Sequence, residues 1–153
     1  MGSGKELVNS FYIGFWLYLS AAIVLFALVV CLFLFRKKIV KPSANMVKRI
    51  PFYIGLVVIL AINSVIAVFF ARYAQDLSAV RNKQFETITG TVIGYNNVQY
   101  DESQGHSKYF NPIVKADDKD LTIVLNVGPT ELNQNYTFIY LKHTRLAEIV
   151  SKS

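Results

Sequence analysis

The chain has 153 residues, of which 53% are hydrophobic and only 17% are charged, against about 25% in typical soluble domains. Its net charge is +6, and six of its cations lie within residues 36–49, which contain no acid. A protein that binds nucleic acid would spread its cations over a folded surface, so this pattern argues against that class. The single cysteine, Cys31, excludes a disulfide framework.

Two uncharged segments, residues 11–35 and 50–71, dominate the first half of the chain. About 20 apolar residues in a helix are enough to cross the hydrocarbon core of a bilayer. The sequence therefore predicts a transmembrane hairpin over residues 1–84, with spans at 11–35 and 50–71. Residues 72–84 keep apolar side chains at helical spacing, which predicts a helical stalk after the second span.

A basic connector separates the two predicted spans. It comprises Arg36, Lys37, Lys38, Lys41, Lys48 and Arg49. Lys and Arg that flank membrane spans accumulate on the cytoplasmic side. The connector is therefore predicted to be cytoplasmic, with both termini extracytoplasmic, in an integral protein of a bacterial inner membrane. The lipid bilayer is its first predicted partner.

Small and polar side chains within the spans predict how the two helices pack. Helices in lipid associate through small residues and interhelical hydrogen bonds. The predicted packing residues are Ser20, Ala27 and Cys31 on the first helix, and Asn63, Ser64 and Ala67 on the second. We expect Asn63 to contribute about 1 kcal/mol as an interhelical hydrogen-bonding group.

The composition becomes β-rich after the stalk, and residues 85–153 form the predicted second domain. Four segments are strand candidates: FETITGTVIGYNN, KYFNPIVKA, DLTIVLNV and NYTFIYLK. Gly90 and Gly94 predict bulges or sharp bends in the first strand. A small, strongly curved OB-like or SH3-like β-barrel would bury the aromatic residues of this segment. The predicted fold class is thus an α+β membrane protein, a two-helix transmembrane hairpin followed by a β-barrel.

Three short motifs give this segment a family resemblance. They are G-T-V at residues 90–92, F-N-P-I-V at 110–114 and Y-T-F-I-Y at 136–140. In this order they resemble the bacterial domain-of-unknown-function 3592 family over residues 89–150. The family's motifs have tyrosine where this chain has Phe110, a Gly-Asp turn at residues 134–135, and prolines at Lys142 and Arg145. The resemblance implies a small membrane protein with a β domain, and it implies no catalytic residue.

Candidate chemistry is sparse in this sequence. His106 and His143 have no cysteine nearby, and no nucleophile motif or phosphate-binding loop is present. We therefore predict no catalytic residue, no metal site, no cofactor and no enzymatic activity. The candidate partner loop is the polar segment 96–108, with Tyr100, Asp101, Glu102 and His106, because long loops on a rigid scaffold often carry binding sites.

These observations predict a non-enzymatic integral membrane protein that presents a small extracytoplasmic β domain for protein–protein interaction. The partner would be another membrane or extracytoplasmic protein, and a homo-oligomer remains open. Two alternatives also remain open: an immunity protein against a membrane-acting toxin, and an accessory subunit of a larger membrane transport or respiratory complex.

Overall fold

Two long helices precede five strands in the computed structural model, which describes residues 4–39, 46–101, 106–118 and 120–152. The helices are α1 (Lys5–Ile39) and α2 (Met46–Asn82). The strands are β1 (Glu86–Asp101), β2 (His106–Ala116), β3 (Thr122–Val124), β4 (Asn135–Tyr140) and β5 (Ala147–Lys152).

Both helices are long and apolar enough to span a membrane, over Lys5–Phe35 and Ile50–Asn82. The 35 residues of α1 extend for about 52 Å, well beyond the ~30 Å hydrocarbon core of a bilayer. The helix α2 continues through the predicted stalk to Asn82. It ends where Lys83 adopts a φ of 54° and the N–H of Gln84 donates to the carbonyl of Ala79 at 2.9 Å. This left-handed residue closes the helix as a Schellman motif.

Residues 14–72 form one compact unit, which contains most of both helices. The rings of Phe15 and Phe70 lie 5.4 Å apart, and those of Tyr18 and Phe69 lie 5.6 Å apart in a stacked arrangement. Starting at these ring contacts, half-buried residues recur along both helices at alternating intervals of three and four. This spacing is typical of a coiled-coil seam. The half-buried residues include Phe15, Tyr18, Ala22, Leu25, Val29 and Leu32 on α1, and Phe52, Leu56, Ile59, Asn63, Ile66 and Phe70 on α2.

The predicted packing stripe differs from this seam. Of its six residues only Asn63 is half-buried, whereas Ser20, Ala27, Cys31, Ser64 and Ala67 are exposed in the described structure. The two serine hydroxyls donate to carbonyls of their own helices, Ser20 to Leu17 and Ser64 to Leu60, both at 2.9 Å. Within the hairpin, large side chains at heptad spacing form the contact, and the small residues lie off it.

The second compact unit comprises the described residues of Met1–Ile13 and Tyr73–Ser153. Its sheet is open and antiparallel, in the order β3-β2-β1-β4-β5. The register between β1 and β2 shifts between Val92 and Gly94, so a bulge lies at one of the two predicted glycine positions. At Gly90, an added Cβ would overlap the carbonyl group of Lys115, so only glycine allows this backbone approach.

The core of this unit lies on one face of the curved sheet. Its fully buried side chains include Val92, Val114, Leu125 and Phe138. Burial alternates along and just after β3, since Ile123 and Leu125 are buried while Thr122 and Val124 are exposed. The four predicted strand segments all contain strands. The fifth strand, β5, was missed, because the sequence AEIVSK has no clear alternation of apolar and polar residues.

The ends of both helices belong to the same unit as the sheet. Leu7 and Phe11 of α1 and Val80 of α2 are buried there, and the rings of Phe11 and Tyr73 lie 5.4 Å apart. The predicted division at residues 84 and 85 stays a prediction, but apolar side chains from both helices pack in the compact unit that contains the β strands.

Candidate functional site

A cleft of about 840 Å³ lies in the unit that contains the sheet. This volume is within the range of about 300–1,000 Å³ typical of ligand sites. Four chain segments form its walls: the first turns of α1, the middle of the β1–β2 ladder, residues 126–129 and residues 146–149. The lining residues are Glu6, Leu7, Ser10, Asn97, Phe110, Asn111, Asn126, Val127, Gly128, Pro129, Leu146, Ala147, Glu148 and Ile149.

The cleft combines an apolar floor with free hydrogen-bonding groups. Leu7 and Leu146 are buried in the floor, and Phe110 is half-buried. The side-chain amides of three lining asparagines, Asn97, Asn111 and Asn126, have no hydrogen-bond partner within the described part of the chain. Each amide can both donate and accept hydrogen bonds. Such a mixture of apolar surface and a few oriented polar groups is the general composition of a recognition site.

The electrostatic character of the cleft is acidic. Two carboxylates, those of Glu6 and Glu148, lie in its lining, and none of the lining residues is a lysine, arginine or histidine. A ligand with negative charge would be repelled by the exposed carboxylate of Glu6, whereas a neutral or cationic ligand would not.

The backbone at Asn111 is distorted at the edge of the cleft. Its φ is 56°, in the left-handed region that few residues other than glycine and asparagine adopt. The residue lies between two paired positions of the ladder, Phe110 opposite Asn97 and Pro112 opposite Tyr95. Non-glycine residues in this region cluster at functional sites, so the conformation of Asn111 marks this part of the cleft as a candidate binding element.

Glu148 connects β5 with the beginning of α1. Its carboxylate is 8% exposed and accepts hydrogen bonds from the backbone N–H groups of Gly4 at 3.3 Å and Leu7 at 3.1 Å. The first N–H groups of a helix lack partners within the helix, and the helix dipole favours a negative charge at this end. Glu148 therefore caps α1 from a strand more than 140 residues away, and it fixes one wall of the cleft.

Asp76 forms a second connection, between α2 and the turn that follows β4. It is 1% exposed and accepts hydrogen bonds from the N–H of His143 at 3.1 Å and from the N–H and the hydroxyl of Thr144, both at 2.7 Å. The turn precedes Arg145, whose φ is 61°. Asp76 thus holds the chain in position as it enters β5, the strand that provides the other wall of the cleft.

A tyrosine pair and a tyrosine–carboxylate pair lie elsewhere on the sheet. The rings of Tyr95 and Tyr109 are 4.9 Å apart, on neighbouring strands. The hydroxyl of Tyr140 donates to a carboxylate oxygen of Glu86 at 2.6 Å. Burial and this hydrogen bond raise the pKa of Tyr140 to about 12. These groups stabilise the ladder and are not part of the cleft.

The predicted partner loop is largely a regular ladder. Tyr100 and Asp101 are the last residues of β1 and His106 is the first of β2, with Asp101 paired opposite His106, while Glu102 lies outside the described residues. The prediction of a loop over residues 96–108 is therefore wrong for most of its length, because β1 and β2 stay paired as far as Asp101 and His106. A partner role for these residues stays a prediction.

The basic connector is also more regular than predicted. Arg36, Lys37 and Lys38 belong to the last turns of α1, and Lys48 and Arg49 belong to the first turn of α2. Lys41 lies outside the described residues.

Among the described residues, no group of three or more His, Cys, Asp or Glu side chains could hold a metal ion.

Comparison with known proteins identifies no relative of this chain. No protein-family model matches it, and the curated proteins and the solved structures gave no match either. The resemblance to the domain-of-unknown-function 3592 family therefore stays a prediction.

Sequence reasoning predicted α1 and the strands β1 and β2, which line part of the cleft, but it missed β5 and the cleft itself. Its acidic residues and asparagines come from four segments separated by up to about 140 positions, and no local motif connects them. One local signal was present at Asn111, since asparagine is the residue that most readily replaces glycine at a positive φ.

Proposed function

We propose that this chain is a non-enzymatic integral protein of a bacterial inner membrane that presents its β-containing unit on the extracytoplasmic face to bind another protein. The cleft carries this proposal, because it offers an apolar floor and three side-chain amides without partners among the described residues. The two apolar helices support the membrane location, and the cationic residues between them support a cytoplasmic connector. The family resemblance is compatible with the same arrangement.

A barrel-like closure of the sheet belongs to this proposal. Asn126, which follows β3 at one end of the sheet, forms an isolated parallel bridge with Leu146, next to β5 at the other end. This bridge supports a curvature close to that of a small OB-like or SH3-like barrel. The curvature would present the cleft at the seam between the two ends of the sheet.

Impermeant cysteine labelling tests the orientation. In a Cys31→Ser background, a Leu132→Cys variant places a thiol at a half-exposed position of the unit that contains the sheet. We expect a membrane-impermeant maleimide to label it in intact spheroplasts, whereas a Lys41→Cys variant should react only after lysis. The reverse pattern would place the β strands in the cytoplasm and overturn the proposal.

Site-specific photocrosslinking in native membranes tests the interaction. A benzophenone amino acid at Asn126, in the cleft, should give a discrete adduct, and mass spectrometry should identify the partner. A toxin in the adduct would specify an immunity protein, and subunits of a transport or respiratory complex would specify an accessory subunit. An adduct with a second copy of this chain would specify a homo-oligomer. Absence of protein adducts from Asn126 and from other exposed positions of the unit would contradict the proposal.

A further inference from the structure

The cleft lies where two parallel chain segments separate after a single bridge. The N–H of Asn126 donates to the carbonyl of Arg145 at 2.7 Å, and the N–H of Ala147 donates to the carbonyl of Asn126 at 3.0 Å. Both segments then continue into the lining of the cleft, one as residues 127–129 and the other as residues 147–149. The ladder therefore begins with one complete parallel bridge and stops.

The pairing stops after this bridge. A continued parallel ladder would pair Gly128 with the backbone of Ala147 and Ile149, but no such hydrogen bond forms among the described residues. The two edges remain close enough to line a common cleft.

The edge of β5 consequently presents backbone groups to the cleft. Successive residues of a strand point their backbone groups to alternate sides, so the N–H of Ile149 and the carbonyl of Ala147 lie on the edge that also carries the N–H of Ala147. The N–H of Ala147 already donates to the carbonyl of Asn126, so this edge of β5 faces residues 126–129. An extended chain in the cleft would satisfy these groups in the way that an added strand satisfies the edge of any sheet.

The side chains around this edge restrict what can be added. Leu7 and Phe110 supply apolar surface for alternate side chains of an inserted strand, and Asn111 supplies an amide for its backbone. Glu6 is exposed, the carboxylate of Glu148 is already bonded to the first turn of α1, and no lysine, arginine or histidine lies in the lining. A peptide with acidic side chains is therefore disfavoured, and one with neutral or basic side chains is favoured.

We propose that the cleft binds an extended, non-acidic segment of the partner polypeptide as an additional strand between residues 126–129 and β5. This inference rests on the proposed interaction function, and it specifies the binding mode. The inserted strand would make the main-chain hydrogen bonds that a continued ladder between Gly128 and β5 would have made. Main-chain hydrogen bonds would supply affinity, and the apolar floor together with the acidic rim would supply selectivity.

A random 12-residue peptide library displayed on phage provides the probe, selected against the full chain in nanodiscs. Enriched peptides are synthesised and titrated by fluorescence polarisation, both unmodified and with alternate backbone nitrogens methylated. We expect enriched peptides to be poor in Asp and Glu. We also expect methylation to weaken binding about tenfold or more, because each methyl group removes a main-chain hydrogen-bond donor.

Matched variants locate the binding. Gly128 has open space around its Cβ position, so a Gly128→Trp variant should fold and fill the cleft from its edge. Leu132→Trp, at an exposed position outside the lining, is the control. We expect Gly128→Trp to abolish peptide binding and Leu132→Trp to preserve it, with both variants retaining the circular dichroism spectrum of the parent chain.

The inference would be overturned by a selection that enriches no peptide, or by peptides that tolerate both backbone methylation and Gly128→Trp. Neither result affects the broader proposal, because crosslinking in native membranes decides separately whether the unit binds a partner through any surface. A crosslinked partner together with a failed peptide selection would mean that the interaction uses another surface or a folded epitope.

Discussion

Replacing Asp76 with alanine should destabilise the turn at residues 142–145 without unfolding the helices. The carboxylate accepts three hydrogen bonds, from two backbone N–H groups and one hydroxyl. Hydrogen bonds to charged groups each contribute about 1.5–3 kcal/mol, but water can reach part of this turn once the carboxylate is gone. We therefore expect the free energy of local opening to fall by about 3 kcal/mol.

Hydrogen exchange measures this free energy of local opening. It would be followed by mass spectrometry on the full chain in nanodiscs. A loss of about 3 kcal/mol corresponds to a fall of about two orders of magnitude in the protection of His143 and Thr144. Asp76→Asn keeps one acceptor oxygen and should lose about half as much. A Thr144→Val variant removes only the hydroxyl, and combining it with Asp76→Ala should reveal a coupling of about 1 kcal/mol.

The control for this experiment is Asp120→Ala, which removes an exposed acid from the turn between β2 and β3. It should leave the exchange of His143 and Thr144 unchanged. If Asp76→Ala alters the protection of these amides by less than about threefold, the carboxylate does not organise the turn, and the role assigned to Asp76 is wrong.

Three further changes should have distinct effects. Gly90→Ala should destabilise the sheet by about 1–3 kcal/mol in urea titrations, because its Cβ would overlap backbone, whereas Gly128→Ala should stay within about 0.5 kcal/mol. Glu148→Ala should cost about 1–2 kcal/mol, seen as faster hydrogen exchange in the first turn of α1, and unchanged exchange would refute the cap. Since the pKa of Tyr140 is raised to about 12, its stabilising contribution is complete below pH 10 and is lost as pH rises toward 12. Tyr140→Phe should remove this alkaline loss and Glu86→Gln should lower the pKa in spectrophotometric titration, and an unchanged titration would contradict the pairing.

The elements that sequence reasoning predicted are those with a strong local signal. An uncharged run of 25 residues has few alternatives to a long helix, and alternating residues such as Ile123 and Leu125 indicate a strand with one buried face. The signal failed for β5, where the charged Glu148 occupies a buried position. Its burial depends on the first turn of α1, which the local sequence of β5 cannot reveal.

The helix seam was missed for a different reason. Small residues such as Ala27 and Cys31 favoured a close-packed interface, but large side chains at heptad spacing form the contact instead. The spacing of residues in α2 already contained this information. Its half-buried residues, which are apolar except for Asn63, recur at intervals of three and four from Phe52 to Phe70. Asp76 follows these half-buried residues of α2. An acidic residue next to apolar helix positions could have indicated that its carboxylate is buried and bonded, as it is here to His143 and Thr144.

The compact unit around the sheet extends beyond the strands, and this has a consequence for binding. A chain of about 60 residues buries only about 60% of its surface on folding, so residues 85–153 alone would form a small core. Leu7, Phe11 and Val80 add buried apolar side chains to the same compact unit, and the carboxylates of Asp76 and Glu148 accept hydrogen bonds from backbone groups of other segments. Because Glu148 both caps α1 and lines the cleft, a ligand there would contact the beginning of α1 and β5 together. Such a ligand would stabilise the junction between helix and strand as well as the open edge of the sheet, and the stabilisation would grow with the logarithm of its concentration above Kd.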